Sequence, residues 1–357
     1  MKAKTITIGG RKVSERHPVF IIAEVSANHR GSLETALSTI DAAAAAGADA
    51  VKFQHLTGTK IAADVKSDAV WNGKPVGTLS AFYATAEIPY EWTPKLMARA
   101  KEKGIIFLST PFDYEAVDLL DKANVSAFKV ASYELTDDLL LRYIARKGKP
   151  IIISTGMAYL KEVQHAVKVI QNEGNKQIAI LHCISLYPPE PKDFNLKAIG
   201  TLRKAFPFPI GYSDHASPAS NAATLGAVAL GATIVERHIT NSQTGGSNDD
   251  KNSMNIEQFT HLVKEIRTLS AALSRSGVKV PVRAPERTMD EMSERKVRRS
   301  LYAARPINVG EVIREDMLIT LRPVQGYEPK DLKKVLGKKA RHAIAARSAI
   351  TRKDVGA

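Results

Sequence analysis

Residues 178–238 read IAILHCISLYPPEPKDFNLKAIGTLRKAFPFPIGYSDHASPASNAATLGAVALGATIVERH. Three short apolar, β-branched runs lie at 178–182, 209–213 and 233–238, with helical patterns between them at 196–206 and 219–230. Each run ends at or near a histidine: His182, His215 and His238. In a parallel sheet built from such units successive strand ends are neighbours, so side chains far apart in sequence can meet around one ion or one substrate.

The alternation extends back to the start of the chain. Candidate strands fall at 19–25, 50–54, 105–109, 127–130, 150–154, 178–182, 209–213 and 233–238, and helical patterns at 33–46, 94–103, 114–123, 137–146, 160–173, 196–206, 219–230 and 256–274. Gly47, Gly104, Gly148, Gly174 and Gly231 stand where helices should stop, and Pro94 suits a first helical turn. Eight strand-then-helix units over roughly 250 residues predict an α/β fold, the (β/α)8 TIM barrel, with a doubly wound open sheet as the rival. The connection from His55 to Trp92, which carries Asp64, Trp71, Gly73 and Pro75, is far longer than the others and is expected to form a partial lid. The barrel is assigned to residues 1–275, a linker to 276–296 and a small mostly-β domain to 297–357, where Pro306, Gly310, Pro323, Gly326 and Gly337 break short strand-like runs. A faint repeat, offset by 38 residues, relates Val312–Asp316 to Ile350–Asp354 and suggests internal pseudo-symmetry there.

Across 357 residues, 51 lysines and arginines against 37 aspartates and glutamates leave a formal charge of +14, which favours anionic partners. The basic residues concentrate after Arg283, in Arg295, Lys296, Arg298 and Arg299 and again in Lys333, Lys334, Lys338, Lys339 and Arg341. No aromatic ladder interleaves with them, so a solvated face fits better than a nucleic-acid surface. A single cysteine, Cys183, excludes an internal disulfide framework and fits a reducing compartment. The N-terminal MKAKTITIGGRKV lacks the apolar core of a secretory signal, and the most apolar later run, 222–235, is shorter than the ~20 residues a bilayer needs and is broken by Gly226 and Gly231. A cytoplasmic protein with neither a membrane nor a nucleic-acid partner is expected.

In such a barrel the active site lies at the C-terminal strand ends. Glu24 interrupts the apolar first strand and needs a partner if it points inward. Lys52 or Lys129 alone reads as a solvated strand end, but two ammonium groups facing one mouth repel each other and demand an anion, phosphate or carboxylate, between them. Ser109, Thr110, Ser132, Ser154, Thr155 and Ser213 are each ordinary capping candidates and collectively an oxyanion cradle. Pro188 and Pro189 stiffen the loop that would carry Tyr187 over the mouth, whereas Cys183 reads as core. His215 and His238, each unremarkable alone, together suggest a metal held by two imidazoles with positions left for water and substrate, a catalytic arrangement.

The segments IIAEVSANHRGS, GADAVKFQ, FLSTPF, FKVASYEL, PIIISTGM, LHCISLYP, GYSDH and GATIVERH, in this order, resemble the sialic acid (nonulosonic acid) synthases, and the tail from Val297 resembles the antifreeze-like (SAF) domain of the same enzymes. The resemblance implies a phosphoenolpyruvate site at Lys52, Thr110, Lys129, Ser132, Ser154, Ser185 and Ser213, and a divalent metal, Mn²⁺ by preference with Mg²⁺ or another ion open, on His215 and His238. Glu24, Gln54, Glu134, Tyr187 and Asp249 would face an N-acylated hexosamine or its transition state, with Glu24 and Glu134 as proton carriers or cation stabilisers. In a domain-swapped homodimer Arg322 would reach the partner's barrel and grip the acyl carbonyl. The implied reaction adds C3 of phosphoenolpyruvate to the open-chain sugar aldehyde, with release of phosphate. Asn28, His29 and the stretch Pro89–Trp92 lean towards the pseudaminate branch, while Thr244–Asp249 lacks the usual Gly-Pro-Asp, so the acceptor stays open among neuraminate-, pseudaminate- and legionaminate-type sugars. Two rivals remain: a Schiff-base aldolase using Lys129 or Lys52, and a non-catalytic sugar-binding or interaction protein. The second is disfavoured by the retained Glu24, lysines and histidines.

Overall fold

A computed structural model describes residues 5–66, 70–71, 74–273 and 299–355, in two compact units that divide between Val278 and Lys279. The linker expected at 276–296 lies outside the described residues.

The chain begins with a hairpin that the sequence reading did not anticipate, β1 (Ile6–Ile8) paired antiparallel with β2 (Arg11–Val13) through Gly9-Gly10. Both glycines have positive φ, as this two-residue turn requires, and a Cβ on Gly9 would come within 2.7 Å of Ile106.

Eight parallel strands follow: β3 (Phe20–Glu24), β4 (Ala50–His55), β7 (Ile106–Pro111), β8 (Phe128–Val130), β9 (Ile151–Ser154), β10 (Ile178–Cys183), β11 (Ile210–Asp214) and β12 (Ile234–Thr240). Each pairs with its successor, and β12 pairs with both β11 and β3, which closes the sheet into the expected (β/α)8 barrel. The outer helices are α1 (Leu33–Ala45), α4 (Thr93–Glu102), α5 (Tyr114–Lys122), α6 (Asp138–Ala145), α7 (Leu160–Asn172), α8 (Lys197–Ala205), α9 (Ala222–Ala229) and α10 (Ile256–Ala272). Their starts are written locally: Ser32, Asp113 and Asp137 accept backbone N–H bonds at the first turns of α1, α5 and α6, and Asn255 with Gln258 forms a capping box on α10.

Strand periodicity sorts the core into two clusters. Outward residues such as Ile21, Val51, Phe53, Phe128 and Ile153 pack under the helices. Inward residues Phe20, Ile22, Ala50, Leu108, Ile152, Leu181 and Ile234 fill the lower barrel, and Ile6, Ile8 and Val13 of the hairpin pack against them as a floor.

The long connection after β4 contains α2 (Gly58–Ile61), a short hairpin of β5 (Val70–Trp71) and β6 (Lys74–Pro75), and α3 (Leu79–Ala84). Trp71 ties it across the mouth: its Nε1–H donates to the Asn248 carbonyl at 2.8 Å, and its ring lies 5.0 Å from that of Tyr187. Asp64 accepts from Ser80, and the expected Gly73 lies outside the described residues.

In the second unit β13 (Ser300–Ala303) pairs antiparallel with β14 (Leu318–Leu321) around a small core that includes Leu301, Ile313, Met317, Ile344, Ile350 and Val355. Each copy of the faint repeat has a four-residue turn, Met317 N–H to Arg314 O and Asp354 N–H to Thr351 O, shifted by one residue between the copies, while Met317 and Val355, which the repeat's offset relates, are both buried. Among the described residues no helix is long and apolar enough to cross a membrane.

Candidate functional site

Each barrel strand changes character along its inward face. Apolar residues occupy the lower positions, and two residues later the same face turns polar: Ile22 gives way to Glu24, Ala50 to Lys52 and Gln54, Leu108 to Thr110, Ile152 to Ser154, and Ile234 to Glu236 and His238. The resulting pocket at the C-terminal ends is lined by all seven residues expected around phosphoenolpyruvate, Lys52, Thr110, Lys129, Ser132, Ser154, Ser185 and Ser213, together with Glu24, Gln54, Tyr187, His215 and His238.

The charges are arranged as a four-membered cluster. Lys52 Nζ lies 2.7 Å from Glu24 Oε2 and 3.7 Å from Glu236 Oε1, while Lys129 Nζ is 4.0 Å from that same Glu236 oxygen. Lys52 also donates to Thr110 Oγ1 (3.2 Å), and Lys129 donates to Ser154 Oγ (2.7 Å) and the Val130 carbonyl (3.1 Å). Burial opposes the charge on Lys52, but Glu236 and Glu24 outweigh it and hold its pKa above the ordinary lysine value. For Lys129 burial wins and the pKa falls, Glu236 only partly offsetting it. Burial likewise raises the Glu24 carboxyl against the pull of Lys52, whereas at Glu236 burial is overcome by Lys129 and Lys52 and the pKa is lowered.

Two imidazoles stand beside this cluster with ring centroids 5.4 Å apart. His215 Nδ1 faces the Ile184 carbonyl at 2.7 Å, and since a carbonyl only accepts, this nitrogen carries the proton and Nε2 keeps a lone pair, to which the Tyr187 hydroxyl donates at 3.0 Å. The Tyr187 ring stacks on His215 at 4.1 Å. Burial lowers the pKa of His238, which favours the neutral ring, and its Nδ1 is shielded without a hydrogen-bond partner. A tautomer fixed by a backbone carbonyl and an unsatisfied buried ring nitrogen fit metal-ligating histidines. Among the described residues no three His, Cys, Asp or Glu side chains converge as a ligand set, so an ion here would rest on two imidazoles and complete its shell with water or substrate.

On the outward face of the same strand ends, Arg237 and Asp214 are fully buried and paired at 3.0 Å. Arg237 further donates to the carbonyls of Asp214, Ala216 and Ser217. This staple joins β11 to β12 and thereby sets the spacing of His215 and His238.

The other expected residues fall at different places around the barrel and in the second unit. Glu134 and Asp249, implied to face the sugar, do not line the pocket. Glu134 sits in the short 3-10 turn after β8, which places Tyr133 on the pocket wall instead, and its Oε2 is buried without a partner. Asp249 accepts from Ser26 Oγ (2.6 Å), and Ser26 in turn accepts from Gln54 Nε2 (3.1 Å), so it braces the pocket through two side chains. Cys183 was read as core, yet strand alternation turns it inward with its Sγ 3.8 Å from His215 Nδ1. His182 faces outward and bonds the Phe194 carbonyl at 2.9 Å. Ser109 and Thr155 likewise turn away, to the Phe53 and Leu181 carbonyls. Arg322 lies in the second unit and is exposed.

Two pocket features escaped the sequence reading. Glu236 stands two residues before His238, so the same alternation places both inward. Gly156 donates its N–H to Ser132 Oγ at 2.9 Å, and a Cβ there would lie 2.1 Å from Ser185 Oγ; only glycine lets both hydroxyls reach the cradle.

Glu134 supplies a pH test. Burial lifts its pKa to about 7 from 4.5, with Lys129 pulling down and Asp137 pushing up. The folded state therefore binds this proton more tightly than the unfolded chain, and the contribution is full below 4.5 and lost as pH rises through about 7. The Glu134→Gln protein is expected to lack this decline and to exceed the parent by ~1–3 kcal/mol above pH 7.5 in urea unfolding, the value discounted for partial solvation. Parallel stability–pH curves for the two proteins would contradict the assignment.

Comparison with known proteins places these features in a family. Residues 39–278 match the NeuB family and residues 298–356 the SAF domain. A pseudaminic acid synthase from Campylobacter jejuni is 35% identical over 342 residues, covering 94% of this chain and 96% of that protein. An N,N'-diacetyllegionaminic acid synthase from the same species is 35% identical over 323 residues, covering 89% and 94%. The crystal structure of an N-acetylneuraminic acid synthetase from Leptospira borgpetersenii superposes with a TM-score of 0.72 at 33% identity, covering 82% of this chain and 95% of that one. The chain therefore belongs to the NeuB family, with a SAF domain following its barrel.

Proposed function

We propose that this enzyme condenses phosphoenolpyruvate with an open-chain N-acylated hexosamine to give a nine-carbon 2-keto sugar acid and phosphate. The observation that carries the reading is the convergence of Lys52, Lys129 and five hydroxyl side chains on one buried pocket beside two imidazoles. The ammonium groups and hydroxyls hold the phosphate and orient C3 towards the aldehyde carbon. A divalent ion on His215 and His238, Mn²⁺ or Mg²⁺, would supply Lewis-acid polarisation of that aldehyde. The new bond joins C3 to the aldehyde carbon, whose oxygen gains a proton; positive character at C2 is answered by water, and phosphate departs with its bridging oxygen. Glu24, which meets both Lys52 and Gln54 in the pocket, would stabilise that positive charge. Lys52, kept charged by its carboxylates, suits anion binding better than Schiff-base chemistry.

The test is phosphate release from phosphoenolpyruvate with N-acetylmannosamine and two diacetamido-trideoxy hexoses as acceptors. One acceptor is expected to support turnover, chelator to abolish it, and borohydride to trap no lysine adduct. Full activity in a rigorously metal-free preparation would sink the metal assignment, and a trapped adduct would favour the aldolase.

The proposal extends to a homodimer in which Arg322 of one copy grips the acyl carbonyl at the other's pocket. On this reading Arg322→Ala raises KM for the sugar ~10-fold or more, a lost charged hydrogen bond, and leaves KM for phosphoenolpyruvate nearly unchanged. Equal loss for both substrates would argue against the contact.

A further inference from the structure

We propose that Glu236 is a built-in counter-anion that holds the position of the substrate's phosphate and is displaced when that phosphate arrives. This rests on the reading of the pocket as a phosphate site.

Its Oε1 accepts from Ser213 Oγ at 3.2 Å and lies 3.7 Å from Lys52 and 4.0 Å from Lys129. Those three groups belong to the cradle assigned to phosphate. One carboxylate oxygen thus already stands among donors gathered for a different anion. The other oxygen, Oε2, is shielded from solvent and has no hydrogen-bond partner. A carboxylate held through one oxygen only is gripped less firmly than one held through both.

Glu24 provides the contrast. It meets Lys52 at 2.7 Å and accepts from Gln54 at 2.8 Å, a tight and two-sided arrangement. Glu24 is the permanent partner of Lys52, and Glu236 the exchangeable one. With both present the two ammonium groups are formally neutralised, so the pocket avoids two uncompensated buried cations. The consequence is competition: every phosphate that binds must first part Glu236 from Ser213 and the lysines.

Removing the competing charge should therefore tighten anion binding, whereas damage to the pocket could only weaken it. Titration calorimetry of the full chain with inorganic phosphate provides the measurement. Glu236→Gln, equal in shape, is expected to bind phosphate ~10-fold more tightly than the parent, and Glu236→Asp, which keeps the charge, to stay within about threefold. Glu236→Ala, also neutral, repeats the measurement if the amide is not accommodated, with thermal melts showing which proteins are folded. Unchanged or weaker binding by the folded neutral variants overturns the proposal, as does an equal gain in Glu236→Asp, which would trace the effect to space instead of charge. Phosphate binding by none of the proteins, parent included, removes the cradle itself and the inference with it.

Discussion

Lys52→Met is expected to lose ~3–5 kcal/mol of folding stability, the cost of leaving one member of a buried ion pair without its partner. Both side chains are almost entirely buried, at 3% and 1% exposure, and the N···O distance is 2.7 Å. Methionine fills the volume of the lysine stem, so the loss is electrostatic: Glu24 is left beside Glu236 without the cation that lay between them. The double variant Lys52→Met/Glu24→Gln should recover most of that stability in urea unfolding, since the buried charge has gone, yet remain inactive because the cradle has lost an ammonium group. A double variant no more stable than the single one would mean that the pair is not the source of the loss.

His215→Ala is expected to lower turnover by at least ~10³-fold, about 4 kcal/mol of transition-state stabilisation if a Lewis acid is lost. The readout that isolates the cause is Mn²⁺ titration without substrates, in which the parent takes up the ion and the variant does not. Removal of the imidazole also deprives Tyr187 of its stacking partner and hydrogen-bond acceptor. Tyr187→Phe, which keeps the ring and loses the hydroxyl, separates the two effects: it should retain Mn²⁺ binding. Undiminished Mn²⁺ uptake by His215→Ala would place the metal elsewhere.

The barrel was legible because its signal is repeated eight times and each repeat is locally consistent: β-branched runs, amphipathic stretches and glycine stops agree on the same boundaries to within a few residues. The hairpin of β1 and β2 was overlooked because strands of three residues barely establish an alternation, although Gly9-Gly10 between Ile6–Ile8 and Arg11–Val13 was a usable turn signal. Inside the pocket, the lysines and histidines stood out as unusual residues at strand ends. Glu236 did not, since a Glu-Arg pair resembles a solvated face; only counting by twos from His238 reveals that Glu236 points in and Arg237 out. Glu134 and Asp249 show the converse limit. They follow the strands in turns whose path a linear sequence does not reveal: Glu134 sits in the 3-10 turn after β8, and Asp249 reaches Gln54 only through Ser26.

The floor built from Ile6, Ile8 and Val13 makes the barrel a cul-de-sac. Trp71 and Tyr187, with rings 5.0 Å apart, stand at the opposite, C-terminal end, so entry and exit share that end. Traffic in a blind channel is last in, first out: on the proposed reading, a phosphate seated among Lys52 and Lys129 would be boxed in once a bulkier sugar lay above it. On the proposed chemistry, the small anion has to arrive before the sugar, and the nine-carbon product has to clear the doorway before the deep seat can be refilled.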